Sequence, residues 1–369
     1  MLRYFYQACL LTLLSNCHTD QPKPLKIPNS YNRDAYLEVS IPEYEIRSQL
    51  DLLIKEAQKG RTEGVSVSSN TLRQLFSAQP NLQSGTSAYY AALLTQPNGI
   101  FDQLAESSGA TYTPGPPNNQ GGTFGGYLFN AYGLEPEQLL DKGLYAALLY
   151  KVALNILQET RDEKSSHRLL AIYGGHPDFP NTPTLGKAAN PDKFVANYAA
   201  RRDKNDGQGY YSQIQKALIT FQAACAAGPD YLEEQEEAAA RFCLLWEKIN
   251  FATVVNYCHA VIGFMSQTNP TDSDKAKALH ALSECIGFTH GWKNLPQPAR
   301  QVTDSDINQI LELLNAPADG VPSCWKFATE PITELPKLNQ IIALVQAKYG
   351  FTNQEIEDFK NNWVTIQGR

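Results

Sequence analysis

The sequence predicts an all-α fold, a helix bundle with long Gly/Pro-rich loops. Three observations carry that expectation. Apolar residues recur at spacings of three and four over many segments, which is the signature of amphipathic helices. Recognisable helix starts and stops bracket those segments. No run of alternating apolar and polar residues marks a strand, and no simple internal repeat is present.

In chain order, residues 43–59 place Ile46, Leu50, Leu53 and Ile54 on one stripe, and Lys59-Gly60 is a sensible stop. Residues 69–76 read as a short helix capped by Ser69 or Asn70, with Leu72, Leu75 and Phe76 inward. A helix over 98–106 has Asn98 as its cap. The stretch 109–126, GATYTPGPPNNQGGTFGG, reads as an ordered loop over one end of the bundle. It lacks the G-x-x-x-x-G-K-[ST] pattern and any Lys, so a phosphate cradle is a weak reading.

A strong helix is expected over 136–160, with Leu140, Leu144, Leu148 and Val152 on one face. A shorter one over 165–173 breaks at Gly174-Gly175, and a second loop with four prolines covers 176–191. Residues 210–226 and 232–267 follow as helices. Asp272-Ser273-Asp274 caps a helix over 275–291, and further helices are expected over 305–314 and 334–348. Thr352 with Glu355 forms a capping-box pattern for the last.

Domain organisation starts with a removable leader. Residues 1–16 combine one positive charge, Arg3, with an apolar core of about ten residues, too short to span a bilayer but suited to a signal peptide. The stretch Leu14-Ser15-Asn16-Cys17 resembles the lipobox of bacterial lipoproteins, whose cleavage leaves an acylated cysteine. Cys17 is therefore the expected lipidation site and residues 17–40 the lipidated Cys and flexible tether, spotted with Pro22, Pro24 and Pro28. The remainder, 41–369, reads as a single helical domain, with two packed lobes as the alternative. Localisation follows: secreted, and held by lipid at the outer membrane or in the periplasm.

Hydrophobic residues at 43% and charged residues at 19% describe a chain able to bury a core. Without the leader, 30 basic residues stand against 38 acidic ones, a net charge of −8. That sign, with no Lys/Arg stripe, argues against nucleic acid as a partner. Beyond Cys9 and Cys17, five cysteines remain: Cys225, Cys243, Cys258, Cys285 and Cys324. An odd number cannot pair fully, and most lie in apolar helical stretches. Buried free thiols are the expected state, with a Cys225–Cys243 disulfide as the alternative.

The chemically informative region is 249–288. Residues 249–265 hold no Asp, Glu, Lys or Arg, so this helix should be central, while Asn250, Thr253, Asn256 and His259 disfavour a membrane span. Asn256 and His259 share a face, as do His280 and Glu284 on the next helix. A short connection makes the two helices antiparallel neighbours. On a structural reading, His280 and Glu284 form a satisfied buried pair bonded to Asn256 or a backbone carbonyl. On a functional reading, His259, His280 and Glu284 ligate a divalent metal or hold an anionic or iron-bearing ligand. Neither a duplicated Glu-x-x-His nor H-E-x-x-H occurs.

Several ordered segments together resemble an uncharacterised helical domain family of Gram-negative lipoproteins, related in setting to the imelysin-like proteins. They are Ser30-Tyr31-Asn32, Gly126-Tyr127-Leu128-Phe129, Gly133-Leu134-Glu135, Gln138, Lys142-Gly143-Leu144, Asp178-Phe179-Pro180, and His280-Ala281-Leu282-Ser283-Glu284 with Gly287-Phe288. The resemblance implies a helical fold in the cell envelope, a setting in iron or haem uptake, and iron-uptake proteins as partners. In the family an acidic run follows the first histidine; here His167 precedes Arg168-Leu169-Leu170-Ala171, and the imelysin H-x-x-E motif is absent. His280 and Glu284 are then the best remnant of an inherited metal site. The leading function is a non-enzymatic binding lipoprotein in metal or haem acquisition. The alternatives are an imelysin-like metal-dependent hydrolase and a structural, partner-docking lipoprotein.

Overall fold

The stripe through Leu50, Leu53, Ile54 and Ala57 is fully turned inward on α2 (Ile41–Gln58), preceded by the single-turn α1 (Tyr36–Val39). The computed structural model describes residues 23–117, 120–159, 161–184, 191–297 and 299–369. It is 64% helical and all-α in character. The expected signal peptide, Cys17 and the start of the expected tether lie outside the described residues.

Short helices follow: α3 (Ser69–Ser77), α4 (Leu82–Gly85), α5 (Ala88–Thr95) and α6 (Ile100–Ser107). The cap of α3 is Ser68 rather than Ser69 or Asn70, its hydroxyl accepting from Thr71 N at 3.3 Å. Asn98 does not cap α6. It sits at φ 61° and donates its backbone N–H to Asp102 at 3.1 Å.

The Gly-rich stretch contains a hairpin, β1 (Gly121–Phe124) with β2 (Tyr127–Asn130), antiparallel with Phe124 opposite Tyr127. It is the sheet that the expected loop concealed. Its two-residue turn, Gly125-Gly126, has φ values of 58° and 86°, a conformation that hairpin turns require and that glycine adopts without strain.

The long helix expected over 136–160 is α7 (Pro136–Leu144) continued through a π-helical turn (Tyr145–Tyr150) into α8 (Lys151–Gln158). Then come α9 (Glu163–Tyr173), ended by Gly174 at φ 98°, and α10 (Phe194–Arg202). The centre is α11 (Tyr210–Ala227), α12 (Leu232–Met265) and α13 (Asp272–His290). Thr271, not the acidic run after it, caps α13, in a capping box with Asp274. The chain closes with α14 (Asp304–Leu313), α15 (Lys326–Thr329), α16 (Pro331–Tyr349), α17 (Asn353–Asp358) and α18 (Trp363–Gln367). Thr352 and Glu355 form the expected box at α17.

Helix α12 packs on α10, α11, α13 and α16, so its uncharged stretch is the middle of the molecule. Asn250 donates to Phe288 O at 3.0 Å while Cys258 meets Cys285, which fixes α12 and α13 as antiparallel. Among the described residues, no helix is long and apolar enough to cross a membrane. Buried apolar side chains from Tyr31 to Val364 form one continuous cluster. The five cysteines are free thiols, four of them buried.

The stretch expected as tether is fastened well before residue 40. Tyr31 and Tyr36 are buried, and Asn32 exchanges two hydrogen bonds with Gln222, each 2.8 Å. Aromatic area and backbone hydrogen bonds outweigh the polar, proline-spotted composition that suggested a loose segment.

Candidate functional site

Helix α7 is enclosed on every side: all residues from Pro136 to Leu144 are buried, including Glu137, Gln138, Asp141 and Lys142. Its closest neighbour is α13, which presents Ser283 and Gly287, with Gly291 as its C-cap. A Cβ at Gly287 would lie 3.0 Å from Lys142 Cβ and 3.1 Å from the Gln138 carbonyl carbon. The two backbones thus approach as only small residues permit, and Ser283 Oγ accepts from Glu135 N at 2.9 Å.

That approach gathers buried charges, and burying them is costly unless they are partnered. Glu135, fully buried, takes His280 Nδ1 at 2.6 Å on one oxygen and has Arg61 Nη2 2.9 Å from the other. Arg61 also pairs with Glu137, which accepts from Gln58 at 3.1 Å and from Gln138 at 2.7 Å. Lys142 pairs with Asp141 and lies 3.5 Å from Glu284. Tyr257 also hydrogen-bonds Glu284.

Burial, helped by the charges of Glu135 and Asp141 and opposed by Arg61, pushes the Glu137 carboxyl up to about 7. Burial would lower His280, but the hydrogen bond and charge of Glu135, with Glu284 behind, outweigh it and raise its pKa. Lys142 is treated likewise: Asp141 overcomes its desolvation and keeps it a cation.

One edge of this cluster reaches solvent. Tyr127, carried by β2, stacks on His280 with centroids 4.2 Å apart and planes 16° apart. The Arg61 guanidinium sits 5.6 Å from the same ring. The His280 side chain is 22% exposed and that of Arg61 26%. With Nδ1 held by Glu135, the Nε2 atom of His280 has no hydrogen-bond partner among the described residues.

The predicted residues are divided differently than expected. His280 and Glu284 share the cluster but do not pair with each other; Glu135 takes His280 and Lys142 takes Glu284. Asn256 and His259 do share a face of α12, but that face meets the C-terminal segment. Asn256 donates to Phe359 O at 2.7 Å, and Lys360 and Glu357 surround His259. The metal triad of His259, His280 and Glu284 is therefore not assembled. Among the described residues, no group of three or more His, Cys, Asp or Glu side chains is placed to hold a metal ion.

His167 is a core residue that fastens the N-terminal segment. Its Nδ1 lies 2.9 Å from the Tyr31 hydroxyl, and the Tyr31 and Tyr36 rings meet it edge-on. Burial lowers its pKa, so it is held neutral. Sequence reasoning missed Arg61, Glu137 and Asp141, and it named Tyr127, Glu135 and Lys142 only within the segments of the resemblance, not as site residues. The signal for the α7 charges was present but ambiguous, since four polar residues in a nine-residue helix look like a solvated face. No protein-family model, curated protein or solved structure matches the chain.

Proposed function

We propose that the protein is a lipid-anchored binding protein of the cell envelope, at the outer membrane or in the periplasm. Its ligand contact is the edge formed by Tyr127, His280 and Arg61. One observation carries the choice of ligand: the imidazole of His280 is clamped by a buried carboxylate through Nδ1, while its side chain stays 22% exposed and its Nε2 has no hydrogen-bond partner among the described residues. A histidine oriented and made more basic in this way is the usual form of a metal-ligating one. The ligand is accordingly one that brings its own metal, a haem or ferric chelate, offering the iron to Nε2 and an acidic group to Arg61.

Because iron and proton compete for Nε2, affinity should rise with pH through the raised pKa of His280. Titration of the mature protein with haemin, followed by the Soret band, tests the reading. A shifted band is expected in the wild type, lost in His280→Ala and weakened in Glu135→Gln. Identical spectra for the wild type and His280→Ala would overturn it.

A second reading, partner docking, is favoured by a groove of about 840 Å³ on the far face of α2. Leu37, Ile41 and Leu52 line it and are 70%, 53% and 52% exposed. An exposed apolar patch of this kind is what a docking protein presents.

A further inference from the structure

Arg202, at the end of α10, is 7% exposed, yet among the described residues no carboxylate pairs with it. Its only hydrogen bond among the described residues runs from Nη1 to Phe359 O, at 2.8 Å, and its Nε is buried without a partner. The next residue back, Arg201, adds a second guanidinium with an unpartnered buried Nε, so the local charge is reinforced rather than balanced. Glu284 is the carboxylate that acts on Arg202 from a distance, and Lys142 already engages it. Burial lowers Arg202 only to about 10, so it remains a cation at neutral pH. An unpaired buried charge is among the most costly groups a fold can hold.

Arg202 lines a cleft of about 210 Å³ that opens between α10, α11 and α17. Across it stand three carboxylates. Asp358 is satisfied by Lys204 at 2.5 Å. Glu355 accepts from the Tyr210 hydroxyl at 2.7 Å and from Thr352; among the described residues no cation forms an ion pair with it, and Lys248 acts on it only from farther away. Asp206 is exposed and, among the described residues, accepts only from Gln208 N, at 2.9 Å. The cleft is therefore lined by a buried cation, Arg202, and by two carboxylates, Asp206 and Glu355, none of the three in an ion pair among the described residues. That volume holds several waters, enough for a small molecule.

We propose that this cleft binds a free α-amino acid, with its carboxylate on Arg202 and its ammonium group between Asp206 and Glu355. A simple anion would meet Arg202 but face the two carboxylates unaided, and a simple cation the reverse. Only a small zwitterion satisfies both ends. The site is separate from the His280 edge and does not depend on that reading.

Calorimetric titration of the mature protein with each common L-amino acid tests this, with acetate and methylammonium as half-ligand controls. At least one amino acid should bind ten-fold or more tighter than either control. Arg202→Gln should abolish binding. Since that variant risks misfolding, Asp206→Asn is the second test: it keeps the turn to Gln208, should leave the melting temperature of the free protein unchanged, and should weaken binding at least five-fold. Failure of every amino acid to bind, acetate binding as tightly as the amino acid, or unchanged affinity in Asp206→Asn would each overturn the proposal.

Discussion

Replacing Gly287 with alanine should destabilise the protein even though alanine is the better helix former. The added Cβ would lie 3.0 Å from Lys142 Cβ and closer still to the Gln138 carbonyl oxygen. Backbone is the struck group, so no flexible side chain can yield, and α13 must withdraw from α7. A gap of about 0.5–1 Å forfeits roughly a quarter to a half of the dispersion contact along that seam. Overpacking of this type costs about 1–3 kcal/mol, against about 1 kcal/mol recovered in helix propensity. With backbone as the obstacle the cost lies at the upper end, giving a net loss of about 1–2 kcal/mol. Gly263 supplies the internal control. It is exposed on α12, and a Cβ there meets nothing within 4 Å. Gly263→Ala should therefore stabilise by about 0.5–1 kcal/mol. Urea unfolding followed by circular dichroism at the helical minimum measures both. Opposite signs are expected, and a Gly287→Ala protein as stable as the wild type would refute the close-approach argument.

Acid sensitivity should be traceable to His290, whose pKa burial and Lys293 depress from 6.5 to about 4. Its folded pKa is the lower one, so the unfolded chain takes the proton first; the stability it contributes is complete above 6.5 and lost as pH falls toward 4. At about 1.4 kcal/mol per pH unit that is roughly 3 kcal/mol, and His290→Gln should flatten that part of the stability–pH curve. Lys142→Met should cost about 3–5 kcal/mol by stranding Asp141 and Glu284. Adding Glu284→Gln should recover part of that loss in denaturant unfolding; a purely additive double variant would show that the two do not couple. Cys17→Ser should release the protein from the membrane fraction or leave an unprocessed precursor, and unchanged fractionation and mass would remove the anchor.

The longer helices were legible because burial imposes a period on the sequence, and caps such as Thr352 with Glu355 announce themselves locally; short ones such as α5 and α10 span too few turns to show a period and were not expected. The π-helical turn at Tyr145–Tyr150 was not, since one extra residue per turn hardly disturbs a wholly apolar run. The hairpin escaped because its strands have four residues each and one begins with two glycines, although Gly125-Gly126 carried a turn signal. At the site, the sequence pointed to His280 and Glu284 as unusual polar groups in an apolar helix. It could not name their partners, because Glu135 and Lys142 lie more than 140 residues away and look like an ordinary polar face. His259 misled for a related reason: sharing a helix with buried residues does not say which neighbour covers a given face.

The fastening of the N-terminal segment sets a leash length. Lys23 O already accepts from the Tyr231 hydroxyl at 2.9 Å, just before α12 begins. If Cys17 carries lipid, as proposed, six residues would separate membrane and domain, a reach of at most about 20 Å. A chain of this size is roughly 50 Å across, so such a tether would be shorter than the body it held, and an anchored protein could not roll freely over the bilayer. The start of α12 would stay turned toward the headgroups. Glu233, Glu234, Glu236 and Glu237 there would hold it off anionic lipid rather than let it settle. Anything the protein captures would then have to arrive from the side away from the membrane, or along its surface.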